Sequence, residues 1–153
     1  MFDYNSNKRP EFKYAEHYGS MQNIYDMLQA GEPLQMDGRQ FEFFCADLLL
    51  IEGFINVEVT KASADNGVDI RAFKNGQEYI FQCKCLSHTC SNKAVQEIVS
   101  ANTLFKAYGM GVICNTTFSQ QAKSLAYTNG VELYSIGTIK HILDKYICDF
   151  YEI

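Results

Sequence analysis

Three polar residues in the middle of the chain have the types and spacing of a hydrolytic site. Gln82 and Lys84 lie two residues apart in an otherwise apolar strand, so their side chains project to the same face. Asp69 lies on the preceding strand, on the face opposite to its apolar residues, which are Val68, Ile70 and Ala72. Asn75-Gly76 joins the two strands as a tight hairpin, which predicts Asp69 beside Gln82 and Lys84.

One carboxylate, one amide oxygen and one ammonium at the same place suit the hydrolysis of a phosphodiester. Mg²⁺, or Mn²⁺ in its place, binds hard oxygens, so Asp69, Gln82 and the backbone carbonyl of Cys83 are candidate metal ligands. Such an ion would neutralise charge on the phosphate and acidify a bound water. Lys84 would orient or deprotonate that water, or stabilise the charged transition state. A structural ion pair between Asp69 and Lys84 is the competing interpretation.

A second carboxylate is predicted to come from a helix that begins after Asp37. Asp37 is a typical N-cap, Gln40 completes a capping box, and Gly53 ends the helix. The predicted buried stripe consists of Phe41, Phe44, Cys45 and Leu48. Glu42 lies beside that stripe, so its carboxylate is expected at the edge of the surface that the helix covers. Glu42 is therefore a further candidate catalytic residue and metal ligand.

Apolar alternation and turn signals predict five strands after that helix. Three of them, over 54–60, 68–73 and 78–86, follow one another and form an antiparallel meander. The remaining predicted elements are a helix around 95–105, a strand over 111–115, a helix capped by Thr117, a strand over 131–134 and a helix from 136 to about 146. The predicted fold class is therefore α/β, with a mixed central sheet flanked by helices.

Residues 1–36 are predicted to form an N-terminal arm with one short helix, ahead of a main domain over residues 37–153. Ser20 is a typical N-cap, and Gly31 followed by Pro33 ends the helix. The apolar residues at helical spacing are Met21, Ile24, Tyr25 and Leu28. We expect the arm to pack on the core or on a second subunit.

The composition limits the class of protein. The chain has 153 residues, 47% of them apolar, and a formal net charge of -5. This length and composition suit a single packed domain. The acidic balance excludes a protein that holds nucleic acid or anionic lipid through bulk positive charge, although a local nucleic-acid site remains compatible with it.

Six cysteines without an apolar N-terminal segment predict reduced thiols in a cytoplasmic protein. No apolar run approaches the roughly 20 residues of a membrane span, so we expect no membrane partner. Cys83, Cys85 and Cys90, with His88 between them, offer a zinc site as an alternative. Their spacing differs from the usual CxxC pattern, so buried thiols are the simpler interpretation.

Several short motifs occur in a fixed order from about Asp37 to Tyr134. They are Phe41-Glu42, Gly53-Phe54, the segment 65–70, Phe81-Gln-Cys-Lys84, Val95-Gln-Glu and Ile113-Cys-Asn. Together they resemble the catalytic domain of Mrr-like restriction endonucleases, which belong to the PD-(D/E)XK nuclease superfamily. The resemblance implies a restriction-endonuclease-like fold in which Asp69 binds metal, Gln82 replaces the usual second acidic residue and Lys84 is the catalytic lysine. It also implies that Glu42 completes the site from its helix.

Two further positions share the resemblance. Asp65 matches the family pattern, and the alternative for it is a turn-forming Asp before Asn-Gly. Gln96 resembles a position that touches substrate or a water near the metal, and the alternative for it is an ordinary Gln on a helix surface. Both are therefore candidate substrate-binding residues.

We therefore predict a metal-dependent DNA endonuclease, of restriction or DNA-processing type, that hydrolyses phosphodiester bonds with metal-activated water. The alternatives are a structure-specific nuclease resembling Holliday-junction resolvases and a catalytically silent nucleic-acid-binding or assembly subunit. The presence of both Asp69 and Lys84 favours an enzyme.

The resemblance also implies partners. Mrr-like enzymes usually join this domain to a DNA-reading module for which the chain leaves no room. We therefore expect sequence recognition through the arm, the loops or a separate partner protein, or cleavage without sequence specificity. Because superfamily members that cut both strands often pair two subunits, we expect a homodimer.

Overall fold

The structure is a computed structural model that describes residues 10–61 and 67–151, except for the side chains of 150 and 151. The helices of this part of the chain are α1 (Ala15–Tyr18), α2 (Met21–Gln29), α3 (Gly38–Ile51), α4 (Asn92–Phe105), α5 (Gln120–Asn129) and α6 (Ile136–Tyr151). The strands are β1 (Ile55–Val59), β2 (Ile70–Lys74), β3 (Gln77–Lys84), β4 (Gly109–Cys114) and β5 (Val131–Tyr134). Among these residues, no helix combines the length and apolar character that a membrane crossing requires.

All five strands form one sheet in the order β1-β2-β3-β4-β5. β1, β2 and β3 pair antiparallel, whereas β4 pairs parallel with β3 and β5 parallel with β4. Asn75 and Gly76 join β2 to β3 with φ angles of 53° and 77°, the positive values that a two-residue hairpin of this kind requires. The predicted mixed sheet with an antiparallel meander is confirmed.

Helices cover both faces of the sheet. α4 and α5 are the crossovers between parallel strands, and their apolar residues pack in one cluster with Ile80 and Val112. α2, α3 and α6 pack in the other cluster with Phe81 and Ile113. We refer to these two faces as the α4 side and the α3 side. Because side chains alternate along β3, successive residues of this strand point to the α4 side and to the α3 side in turn.

The N-terminal arm packs on the α3 side. Ser20 Oγ accepts a hydrogen bond from the Asn23 amide at 3.1 Å, so α2 begins at the predicted cap. The buried apolar residues of α2 are Met21, Ile24 and Leu28, all in the α3-side cluster. The expected packing of the arm on the core is therefore confirmed for its described residues, while the division of the chain at residue 36 stays a prediction.

Asp47 fastens the arm to α3. Its side chain has an exposed fraction of 0% and accepts hydrogen bonds from the backbone amides of Lys13 and Tyr14, both at 2.9 Å. The Tyr18 hydroxyl donates a third at 2.8 Å. Burial raises the pKa of Asp47, although these donors pull it back. No local sequence pattern distinguishes Asp47 from its neighbours on α3.

The capping box that was predicted for α3 is present. Asp37 Oδ1 accepts from the Gln40 amide at 2.8 Å, and Gln40 Oε1 accepts from the Asp37 amide at 3.1 Å. The four residues of the predicted stripe are all buried. This correct start fixes the phase of the helix and therefore the direction of Glu42.

The prediction that Thr117 caps α5 is wrong. The Thr117 carbonyl accepts a hydrogen bond from the Cys90 amide at 2.8 Å, and Phe118 forms an isolated parallel bridge with Cys90. This pairing keeps the segment extended for two more residues. Ser119 is the N-cap instead, since its hydroxyl accepts from the Ala122 amide at 3.1 Å.

Two further details differ from the predictions. Val68 packs on the α4 side, whereas Ile70 and Ala72 pack on the α3 side. The reason is that β2 begins at Ile70, so strand alternation does not extend to Val68, whose carbonyl accepts from Thr60 Oγ1 at 2.7 Å. In addition, α6 continues to Tyr151 instead of ending near Tyr146.

Candidate active site

The hairpin holds Asp69 against the backbone of β3. Ile70 pairs with Phe81, and continuing this register by one residue places Asp69 opposite Gln82. The Asp69 amide donates to the Phe81 carbonyl at 2.8 Å, while Asp69 Oδ2 accepts from the Cys83 amide at 2.8 Å. Asp69 has an exposed fraction of 9%. These bonds fix its carboxylate between the start of β2 and the neighbouring strand β3.

Gln82 and Lys84 meet at one carboxylate on the α4 side. Gln82 Nε2 donates to Glu97 Oε2 at 2.7 Å, and Lys84 Nζ donates to the same oxygen at 3.2 Å. The salt bridge of Lys84 is therefore with Glu97, and not the Asp69–Lys84 ion pair that was the competing interpretation. Gln82 is 5% exposed, whereas the Lys84 and Glu97 side chains are 31% and 32% exposed.

Glu97 is the site residue that sequence reasoning missed. It lies in the middle of α4, three residues after buried Ala94 and four before buried Ala101, at the flank of the stripe that packs on the sheet. The helical period could therefore have indicated that Glu97, and not its neighbour Gln96, faces β3. Gln96 is exposed.

One end of the Gln82 amide is left without a partner. Gln82 Oε1 is buried and accepts no hydrogen bond from the described residues. A buried amide oxygen of this kind is uncommon in folded proteins and indicates a place where a water, an ion or a ligand can bind. Gln82 is on the same strand as Cys83, whose backbone carbonyl is another candidate ligand. Asp69 lies opposite Gln82 on the paired strand.

These oxygens fit a hard divalent cation. Mg²⁺ prefers carboxylate, amide and carbonyl oxygens and usually keeps several waters. Among the described residues, His, Cys, Asp and Glu side chains do not gather in threes that could hold a metal ion. A cation at this site would therefore depend on amide and backbone oxygens as well as on carboxylates.

Glu42 reaches the same region from α3. Its carboxylate is 18% exposed and accepts a hydrogen bond from Arg39 Nη1 at 2.7 Å. Arg39 Nη1 also donates to the Thr60 carbonyl at 2.9 Å, and the Thr60 amide donates to the Asp69 carbonyl oxygen at 2.9 Å. Arg39 and Thr60 thus connect the α3 carboxylate to the start of β2.

The surroundings of the Cys83 thiol disfavour its thiolate form. Burial raises the pKa of Cys83 well above its usual value, contact with Cys45 adds to this, and the charges of Asp69 and Glu42 raise it further. Both carboxylates therefore act on the same thiol. Cys90 packs in the other core cluster, so the Cys83-x-Cys85-x4-Cys90 pattern does not converge on one point.

Of the two candidate substrate-binding residues, Asp65 and Gln96, the structure describes only Gln96. Asp65 lies outside the described residues. Gln96 lines an open groove of about 690 Å³ along α4, and Glu97 lines the same groove. The other residues along it are Gly67, Lys93, Ser100, Ala101, Thr103 and Leu104. The position of Gln96 next to Glu97 is compatible with contact to a substrate, and its role stays a prediction.

Solved structures with the same fold include two restriction endonucleases. AspBHI, a DNA modification-dependent restriction endonuclease, is similar with a TM-score of 0.59 and 13% identity over 90% of this chain and 39% of its own. MspJI, solved with a 27-mer oligonucleotide, is similar with a TM-score of 0.55 and 16% identity over 95% of this chain and 39% of its own. The chain thus spans well under half the length of these two enzymes.

A third solved structure, a protein of unknown function, is similar with a TM-score of 0.55 and 20% identity, over 66% of this chain and 63% of its own. These likenesses confirm a restriction-endonuclease-like α/β fold. No curated protein sequence matches the chain significantly.

The family assignment comes from the sequence itself. Residues 33–143 match the Mrr catalytic-domain family, described as restriction endonuclease. The match covers most of the chain and includes Glu42, Asp69, Gln82, Lys84 and Glu97. The chain therefore belongs to the restriction endonuclease family of the Mrr catalytic type.

Proposed function

We propose that this protein is a metal-dependent DNA endonuclease that hydrolyses phosphodiester bonds. Membership of the restriction endonuclease family supports a nuclease, and the neighbour MspJI was solved with an oligonucleotide. The observation that carries the metal dependence is the buried, unpartnered Oε1 of Gln82 opposite Asp69. A buried amide oxygen that accepts no hydrogen bond from the described residues, on a strand opposite an aspartate, is suited to binding a cation.

Four groups would hold the cation. They are the carboxylates of Asp69 and Glu42, Gln82 Oε1 and the backbone carbonyl of Cys83. Mg²⁺, or Mn²⁺ in its place, would supply charge neutralisation at the scissile phosphate and a water of lowered pKa. Arg39 Nη1 donates to Glu42 Oε1 at 2.7 Å, and the second oxygen of this carboxylate would bind the cation.

Lys84 is the group closest to the reacting phosphate in this proposal. Its ammonium donates to Glu97 at 3.2 Å, which holds it in place. The Lys84 side chain is also partly exposed, so the ammonium can contact a substrate that binds from solvent. In that position the ammonium would orient the attacking water or stabilise the negative charge of the transition state, and the neutral amine, formed by loss of a proton to solvent, would take the proton of the water. Asp69 would stay anchored to the Cys83 amide throughout.

DNA and a second copy of the chain are the proposed partners. The substrate is DNA, and cleavage of both strands would use two copies of the chain. Sequence recognition would come from the arm, from loops or from a separate protein. Cys45, Cys83, Cys85, Cys90 and Cys114 form no disulfide, which suits an enzyme of the reducing cytoplasm.

A cleavage assay tests the proposal. Purified protein is incubated with plasmid, linear and branched DNA in the presence of Mg²⁺, Mn²⁺ or EDTA. We expect cleavage that requires the metal and that falls by about 10²–10⁴-fold in Lys84→Ala, as expected for loss of an acid–base or charge-stabilising group. Asp69→Ala should be at least as inactive. Size measurement of the free and DNA-bound protein would report whether two copies act together.

Lys123→Ala is the matched control, because Lys123 is an exposed lysine on α5 and is not among the site residues. It should cut like the wild type. Cleavage that persists in EDTA, or that survives in both site variants, would contradict the proposal. Preference for branched over linear DNA would favour the structure-specific alternative.

A further inference from the structure

The two ends of the Gln82 amide lie in different environments. Nε2 donates to Glu97 Oε2 at 2.7 Å, and Oε1 is buried without a partner among the described residues. We propose that Glu97 is a positioning residue that fixes the orientation of the Gln82 amide, so that Oε1 is presented to the cation. This inference rests on the proposed function and explains how a neutral residue serves in place of a carboxylate.

The orientation follows from what each group can donate or accept. An ionised carboxylate only accepts hydrogen bonds, and an amide donates only through its nitrogen. Rotating the Gln82 amide by half a turn would bring Oε1 against Glu97 Oε2, two acceptors at hydrogen-bond distance, and would leave Nε2 buried without an acceptor. Glu97 therefore excludes the rotated amide.

Lys84 compensates the negative charge of Glu97. Its ammonium lies 3.2 Å from the same Glu97 oxygen, so the carboxylate that orients Gln82 is also paired with a cation. The negative charge of Glu97 is thus placed between an amide and an ammonium. A carboxylate at position 82 would instead face Glu97 directly, so Gln82 and Glu97 form a matched pair.

The backbone around Glu97 is fixed. It lies in the middle of α4, whose buried residues are Ala94, Val95, Ile98 and Ala101. Gly67, with a φ of 89°, packs against this helix, and a Cβ there would be in van der Waals contact with the Glu97 carbonyl oxygen at 3.4 Å. The carboxylate is therefore directed at β3 from a rigid element, as an orienting group should be.

Mn²⁺ binding, measured by calorimetry without DNA, tests the inference in a set of variants. Glu97→Ala should weaken Mn²⁺ binding by about 10–100-fold, the usual effect of removing a group that orients a ligand. Glu97→Gln should stay within a few-fold of the wild type, because its amide oxygen can still accept from Gln82 Nε2. Equal losses in both variants would overturn the inference, since they would indicate a charge effect or direct ligation by Glu97.

Exchanging the two side chains sharpens the test. In a Gln82→Glu background, a second substitution Glu97→Gln should strengthen Mn²⁺ binding, because the new amide donates to the new carboxylate. In the wild-type background the same substitution should weaken binding slightly. This reversal of sign is a coupling that independent residues do not show. An effect of the same sign in both backgrounds would overturn the inference.

Three controls separate the possible failures. Glu16→Ala, which removes an exposed carboxylate on α1, should bind Mn²⁺ like the wild type. Thermal unfolding of every variant confirms that it is folded. Wild-type protein that binds no Mn²⁺ and cuts no DNA would overturn the proposed function together with this inference. Wild-type binding that is lost in Asp69→Ala but retained in Glu97→Ala would overturn the inference on Glu97 alone.

Discussion

Asp47 on the α3 side and Gln82 on the α4 side are both buried polar residues, but their hydrogen-bonding groups are used to different extents. Asp47 accepts from three donors, two of them backbone amides of the arm. Gln82 has one end paired with Glu97 and the other end unpaired. A fully satisfied buried group stabilises the fold, whereas a partly satisfied one reduces stability and is retained where it has another use. The difference separates an anchor from a candidate active site.

The largest expected change in stability is at the anchor. Asp47→Ala would leave the amides of Lys13 and Tyr14 and the Tyr18 hydroxyl without their acceptor, and should lower the free energy of unfolding by about 3–5 kcal/mol. Urea unfolding measures the loss, and limited proteolysis should show cleavage near residue 13. Asp26→Ala, an exposed carboxylate on α2, is the control and should change stability by less than about 0.5 kcal/mol.

The Asp47 variant also tests whether the two regions are independent. Below its unfolding transition it should bind Mn²⁺ as the wild type does, because its contacts lie in the arm. Loss of Mn²⁺ binding in the folded variant would contradict the separation of anchor and site.

A smaller change is expected from Tyr18→Phe, which removes one hydrogen bond to a charged group and should lower stability by about 1.5–3 kcal/mol at neutral pH. Burial and the adjacent Asp47 raise the pKa of Tyr18 above its ordinary 10.0. Above pH 10 the unfolded chain therefore loses this proton while the folded protein keeps it, so the stability that Tyr18 contributes declines as pH rises.

Unfolding in urea from pH 8 to 11 measures this effect. The wild type should lose stability more steeply with pH than Tyr18→Phe, and the difference between them should narrow above pH 10. Parallel pH profiles would show that Tyr18 does not remain protonated in the folded protein.

The smallest change in stability is expected at the candidate active site. There a substitution should affect Mn²⁺ binding and leave stability nearly unchanged, in contrast to Asp47→Ala. Gln82→Met keeps the length of the side chain and removes the unpaired oxygen, so the free energy of unfolding should stay within about 1 kcal/mol of the wild type or rise. The same variant should lose Mn²⁺ binding. A fall in stability of more than about 2 kcal/mol would show that the Gln82 amide is structural, as Asp47 is.

Local signals predicted the fold well. The Asp37–Gln40 capping box and the Asn75-Gly76 turn each depend on residues within one turn of each other, and both are present. Thr117 was misassigned because its carbonyl bonds to Cys90, a contact across 27 residues that no local pattern encodes. The succession of strands and helices along the chain predicted the mixed sheet, and the structure adds its strand order, β1-β2-β3-β4-β5.

The site was less accessible to sequence reasoning. The strand period and the hairpin turn indicated Asp69, Gln82 and Lys84, but not the direction of the Gln82 amide, which depends on Glu97 in α4. The anchoring role of Asp47 could not be predicted, because the groups that donate hydrogen bonds to it lie 29 to 34 residues away in the sequence.

Those separations along the chain have a consequence for the order of folding. The bonds of Gln82, Cys83 and Lys84 to Glu97 and Asp69 close loops of 13 to 15 residues, about half the length of the loops closed by Asp47. Contacts of low sequence separation form early because little chain entropy is lost before they are made. We therefore expect the hairpin and α4 to bring Asp69, Gln82, Lys84 and Glu97 together first, and the arm to dock onto the domain afterwards.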